Sequence, residues 1–299
     1  MVRPAAFGYN VQTAATNRLQ TAPASSEAGR ADAAAAVREF DALATQLDAA
    51  GVAVCVVDDT PLPPKPDAVF PNNWVSFHAD GTIVLYPMLT ANRRSERRVD
   101  LLQAVQRQLG FVERRRVDLT HHEESGRFLE GTGSLVLDHV QRVAYACRSP
   151  RTDEALLREW AQLLDYEPLV FDAQLADGSP VYHTNVLLWI GATAAGLGSA
   201  WIAAVDRARV LARLHSAGRS VVSFDARALQ GFAGNMLELK GRDGQRVLAM
   251  SASAAAALAG PELTQLRGLT DELLIASLPT IERLGGGSLR CMLAEVPRA

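Results

Sequence analysis

The chain has 299 residues, 48% of them hydrophobic and 21% charged, with a formal net charge of -3. That balance lacks the basic footprint of a nucleic-acid binder, and three cysteines are too few, and odd in number, for a disulfide framework. No basic-then-apolar leader opens the sequence, so a protein of the reducing cytoplasm is expected, with neither nucleic acid nor membrane as partner.

In chain order, the first helix is expected over Ala31 to Ala50, after Ser25, Ser26 and Asp32 and before Gly51. The apolar run VAVCVV from Val52 follows as a strand, then a proline-dense loop around Pro61, Pro63, Pro64 and Pro66. TIVLY from Thr82 reads as a strand and Ser95 to Leu109 as a helix closed by Gly110. SLVL from Ser134 and RVAYAC from Arg142 are strand-like, and Asp153 to Leu164 opens with the helix-start signal TDE. Val186 to Val205 carries no charge and has the length to cross a bilayer, but its glycines split it into VLLWI and AWIAAV, expected to be two buried strands. A helix over Asp206 to Ser216, strands SVVSF from Ser220 and RVLAM from Arg246, and a helix over Leu263 to Ala276 complete the series. The pattern is α/β with many short strands, and with no dividing linker it predicts one domain over residues 1–299.

Polar residues at strand ends recur at a period. Asn10, Asn72, Glu130, His183, Asn235 and Cys291 lie 52 to 62 positions apart. Such self-similarity suggests a ring of ββαβ-like units, each placing one strand-end residue at the same depth, with the first and last strands sharing a unit. Cys291 follows Gly285, Gly286 and Gly287, which provide the room and close backbone approach a reactive thiolate needs. A tight turn before a buried strand would account for the same residues. Cys55 and Cys147 sit inside apolar runs and read as small buried hydrophobes. His121 and His122, followed by Glu123 and Glu124, lack a further ligand at metal-site spacing, so no metal is expected.

Taken together, FGYN, AVFPNNWVSFH, NRRSER, FLEGTGSLVLD, RSPRTD, VYHTNVLLWIG, FAGNMLEL and GGGSLRCM resemble the guanidine-modifying, or pentein, superfamily, most nearly its citrulline hydrolase branch. The resemblance implies a five-bladed α/β propeller and catalysis without a cofactor. It implies Cys291 as nucleophile, His183 as proton shuttle and Glu130 as the group that orients the imidazole. A satisfied core histidine and a loop carboxylate are the bland alternatives for the last two. Thr132 and Ser134 depart from the superfamily's EGGD pattern.

Asn72 and Asn73 stand where relatives that act on cationic guanidinium groups carry an aspartate, and Asn185 stands two residues after the histidine where arginine deiminases have one. Amides offer both donor and acceptor and suit a neutral ureido group, so citrulline is the expected substrate, hydrolysed to ornithine, carbon dioxide and ammonia. Asn235 joins this set through the period. For the substrate carboxylate the resemblance implies Arg94, with Arg93 in reserve, and Arg151. Arginine deimination, methylarginine hydrolysis and amidino transfer are the rivals of the same chemistry. A catalytically silent pentein and an amino-acid-binding module are the rivals outside it. The partner expected is a small amino-acid substrate, with a homodimer as the one assembly considered.

Overall fold

A computed structural model of the chain describes residues 1–297. Strand β1 (Val2–Arg3) pairs in parallel with β2 (Val57–Asp58) across the long helix Ser26–Ala49. Four three-stranded sheets follow. They are β3 (Val75–Phe77), β4 (Thr82–Leu85) and β5 (Arg115–Asp118), then β6 (Val136–Asp138), β7 (Val143–Cys147) and β8 (Glu167–Phe171). β9 (Leu188–Ile190), β10 (Ala194–Leu197) and β11 (Ser220–Ser223) form the third, and β12 (Leu237–Lys240), β13 (Arg246–Ser251) and β14 (Glu272–Ala276) the fourth. In each, the first two strands form an antiparallel hairpin, and the third returns through helix to lie parallel to the middle one. The result is a mixed α/β fold of small sheets built from ββαβ units.

Local chemistry explains most boundaries. Ser25 caps its helix by accepting from Ala28 N at 3.1 Å, and Asp153 caps Glu154–Leu164 by accepting from Leu156 N at 2.8 Å. Helix Ser26–Ala49 buries Ala36, Phe40, Leu43 and Leu47, one stripe at helical spacing, against a cluster that includes Phe70, Ile281, Leu289 and Cys291. Among the described residues no helix is long and apolar enough to cross a membrane.

Three sequence expectations differ from the structure. Of the run VAVCVV only Val57 enters a ladder. The segment expected as the helix Leu263 to Ala276 is a helix over Gly260–Leu269 and then strand β14, whose Leu274 and Ala276 face inward while Ile275 faces out. That short period-two alternation is lost in a helix-length window. AWIAAV is not the second strand of its hairpin, for it forms the 3-10 turn Ser199–Trp201 and the start of helix Ala204–Ser216, while Ala194–Leu197 is β10.

β10 opens with three small residues, Ala194, Ala195 and Gly196, and space at the third is minimal. A Cβ on Gly196 would lie 2.0 Å from Trp189 Nε1 and 2.5 Å from a Phe224 ring carbon. Gly196→Ala is expected to destabilise the fold by about 2 kcal/mol or more through overpacking against two rigid rings. Urea denaturation measures it, and an unchanged midpoint refutes the packing account.

Candidate active site

The turns that precede the first strand of each unit face one another. Thr132 Oγ1 donates to the Asn72 carbonyl (3.4 Å), Thr184 Oγ1 to the Ser134 carbonyl (2.6 Å), and Asn235 Nδ2 to the Asn185 carbonyl (3.0 Å). Asn235 Nδ2 also reaches Cys291 Sγ at 3.3 Å, and Phe70 closes against Gly285 and Gly287. Asn72, Glu130, His183, Asn235 and Cys291 are all buried at this junction.

Cys291 is held by an ordered approach. Glu39 accepts from the Thr280 and Ile281 amides and so caps helix Pro279–Gly285. Gly286 ends that helix at φ +60°, a left-handed position, where a Cβ would meet the Asn17 amide at 2.7 Å. Ser288 Oγ then donates to the buried Glu282 (2.6 Å), and Cys291 lies in the 3-10 turn Leu289–Met292. Its sulfur receives the Asn235 amide and, at 3.6 Å, that of Asn185.

His183 Nε2 meets Glu130 Oε2 at 2.9 Å, and the same oxygen accepts from Arg151 Nη1 at 3.1 Å. Glu130 Oε1 accepts the Leu89 amide at 3.0 Å. Burial alone would raise the Glu130 carboxyl, but Arg151, the His183 hydrogen bond and Arg93 hold it well below the usual carboxylate range. Burial pushes His183 down to about 4, against the opposing pull of Glu130. The imidazole is therefore neutral at pH 7, donating Nε2–H to an ionised Glu130 and leaving Nδ1 bare. A Cβ on Gly133 would come within 2.7 Å of that Nδ1, so the backbone itself packs against the ring.

Cys291, His183, Asn73, Arg93 and Arg151 line one buried cavity of about 20 Å³, together with Asp67 and Tyr182. Arg94 lies elsewhere. One third exposed, it pairs with Glu123 at 3.3 Å and donates to the Met88 carbonyl, so of the two neighbouring arginines it is the reserve candidate, Arg93, that reaches the cavity. Arg93 is tied to Glu96 (2.9 Å on both arms) and to Asn73 Oδ1 (2.8 Å). Burial raises Glu96 to about 7 despite that pairing. Arg151 is committed to Glu130 and to the Thr16 hydroxyl at 2.7 Å. Asn185 Oδ1, Asn73 Nδ2 and both amide atoms of Asn72 are buried without hydrogen-bond partners. Asn72 borders the junction but is not among the residues that line the cavity.

Asp67 is the residue that sequence reasoning missed. Asn10 Nδ2 donates to its Oδ2 at 2.7 Å, while its Oδ1 is buried with no partner, and burial raises its carboxyl. Beside the amides expected from the sequence, a carboxyl group therefore lines the same cavity. The available signal was its place between the FGYN and PNNW motifs, within reach of both. A larger cleft, about 1080 Å³, shares no residue with this cavity, and its one cysteine, Cys55, has a thiol that burial pushes up.

The model of one protein family, N,N dimethylarginine dimethylhydrolase (eukaryotic), matches residues 3–298. No curated protein matches the sequence. Among solved structures, ArgZ, an arginine dihydrolase from the ornithine-ammonia cycle in cyanobacteria, superposes with a TM-score of 0.76 at 16% identity, over 100% of this chain and 40% of that one. The chain thus spans less than half the length of ArgZ. The substrate-bound N-terminal domain of ArgZ gives a TM-score of 0.74 at 17% identity, covering 100% of this chain and 97% of that one. Dimethylarginine dimethylaminohydrolase, as an adduct with S-methyl-L-thiocitrulline, gives 0.64 at 13% identity, covering 97% and 96%. These likenesses establish a shared fold.

Proposed function

Because the chain belongs to the N,N dimethylarginine dimethylhydrolase family, a family of guanidine-modifying C–N hydrolases, we propose that it hydrolyses the guanidino group of a free arginine-type amino acid through a covalent Cys291 intermediate. The observation that carries this reading is the single cavity lined by Cys291, by His183 on its ionised partner Glu130, and by Asp67 with one oxygen uncommitted. A buried carboxylate oxygen without a partner is costly, and a guanidinium N–H fills that deficit.

Cys291 Sγ attacks the central guanidino carbon as its proton passes to the free Nδ1 of His183, and the Asn185 and Asn235 amides hydrogen-bond the charge carried by the attacking sulfur. His183 delivers a proton to the departing nitrogen, and Glu130 stabilises the imidazole whenever it is charged. After the amine leaves, His183 takes a proton from water, which attacks the thiol-bound carbon and expels the sulfur. Arg151 and Arg93 supply positive charge for the substrate carboxylate. The cavity holds about one water, so its lining must shift to admit an amino acid.

A second reading, citrulline hydrolysis to ornithine, is favoured by the amides around Cys291, which match a neutral ureido group. ArgZ, whose fold this chain shares, is named an arginine dihydrolase of the ornithine-ammonia cycle. Asp67→Asn separates them. Ammonia, citrulline and ornithine released from arginine and from citrulline are to be measured side by side. Loss of one charge-assisted contact is expected to lower kcat/KM for arginine by about 30-fold or more while citrulline changes little. If citrulline is consumed and arginine is not, the second reading replaces the first.

The same proposal takes the five sheets as blades of one closed propeller and the whole chain as one catalytic domain. The hydrogen bonds linking successive turns, and the packing of Ala294 and Val296 into the cluster that holds Val2, support it.

A further inference from the structure

The adjacent pair His121 and His122 acquires a third ligand when the chain folds. The 3-10 segment Thr120–Ser125 packs beside helix Glu154–Leu164, and His122 Nε2 comes within 3.0 Å of Glu159 Oε2. One ligand atom from each of His121, His122 and Glu159 lies within 4.8 Å of the others. His122 is 6% exposed, and despite its proximity to Glu159 its Nε2 makes no hydrogen bond. A buried ring nitrogen without a hydrogen bond, beside a carboxylate oxygen, has its lone pair available to a cation. His121 places Nδ1 3.2 Å from the Asp118 carbonyl oxygen, the kind of outer contact that orients a ligating imidazole, and the two rings stack with centroids 4.1 Å apart. Asp118, Glu123 and Glu124 border the adjoining cleft, with Arg94 as the only basic side chain among its described lining residues apart from His121 itself.

We propose that His121, His122 and Glu159 bind a divalent transition ion of the zinc type, with water completing a four-coordinate shell. Two imidazoles and one carboxylate suit borderline ions such as Zn²⁺ rather than Mg²⁺ or Ca²⁺, which take oxygen ligands. Ligands sharing a tetrahedral zinc lie roughly 3 to 3.5 Å apart, a spacing already met by His122 and Glu159, so the exposed His121 ring has only about 1 Å to move. Bound there, the ion would tie the segment carrying Glu123, which holds the Met88 amide and Arg97, to the neighbouring helix.

The test uses chelator-treated protein in a Cys291→Ala background, which removes the thiol as a competing zinc ligand. Calorimetric titration with Zn²⁺ is expected to show one equivalent bound, and Co²⁺ to develop visible bands of a four-coordinate site. Glu159→Gln and His122→Ala are each expected to weaken binding by about 10-fold or more and to bleach the cobalt bands. Glu159 is 42% exposed, so its variant keeps the fold and decides the matter if His122→Ala does not fold. No saturable binding in the Cys291→Ala protein, or binding that Glu159→Gln leaves unchanged, overturns the proposal.

Discussion

Cys291→Ser is expected to lower turnover by about 10³-fold or more while leaving the fold intact. The hydroxyl is smaller than the thiol and can still accept the Asn235 and Asn185 amides, so packing at this 3% exposed position changes little. Chemistry is what changes. In serine hydrolases a base hydrogen-bonds directly to the attacking oxygen, whereas here the sulfur's hydrogen-bond partners are amides and His183 is engaged with Glu130. A thiol can ionise without an attached base, and an alcohol cannot at neutral pH. Single-turnover measurement with arginine and citrulline provides the check, along with mass spectrometry of trapped adducts in the wild type. Residual turnover within tenfold of wild type would show that the sulfur is not the nucleophile.

Glu130→Gln is expected to act on rate and stability together. Its Oε2 is shared by His183 and Arg151, and both partners are donors, so an amide that turns its NH₂ toward either meets another N–H. Arg151, 2% exposed, would keep the Thr16 hydroxyl, the Thr13 carbonyl and the Tyr182 ring but no hydrogen-bonded carboxylate, a largely uncompensated buried cation that costs about 3–5 kcal/mol. Because the carboxylate is the group that raises His183 against burial, its loss pushes the imidazole lower still and weakens it as a proton carrier. A fall in kcat of about 10²- to 10⁴-fold is expected. Urea unfolding and steady-state kinetics separate the two effects. A destabilised variant with unchanged kcat would leave Glu130 a structural residue and remove it from the mechanism.

How much of this was legible in the sequence differs from residue to residue. Glu130 and His183 could be singled out because each precedes the first strand of a repeated unit, and Cys291 because it follows a glycine run at the same spacing along the chain. Helix Glu154–Leu164 announced itself through Asp153, whose capping bond is local, and the middle strands β4, β7 and β13 through apolar runs buried on both sides. The returning strand β5 did not, because in RRVD only Val117 is buried and the remaining side chains are exposed.

Tertiary structure alone decided the rest. Of Arg93 and Arg94, adjacent in one 3-10 segment, one enters the cavity and the other pairs with Glu123, a choice made by residues up to 29 positions away. Asp67 joined the site through Asn10 and Arg93, and Glu159 joined His122 across two elements. Spacing and apolar pattern record short-range forces between neighbours along the chain, so they fix which segments fold and which residues end them. Where a charged side chain comes to rest depends on desolvation and on partners that meet it only after packing, and no local pattern carries that information.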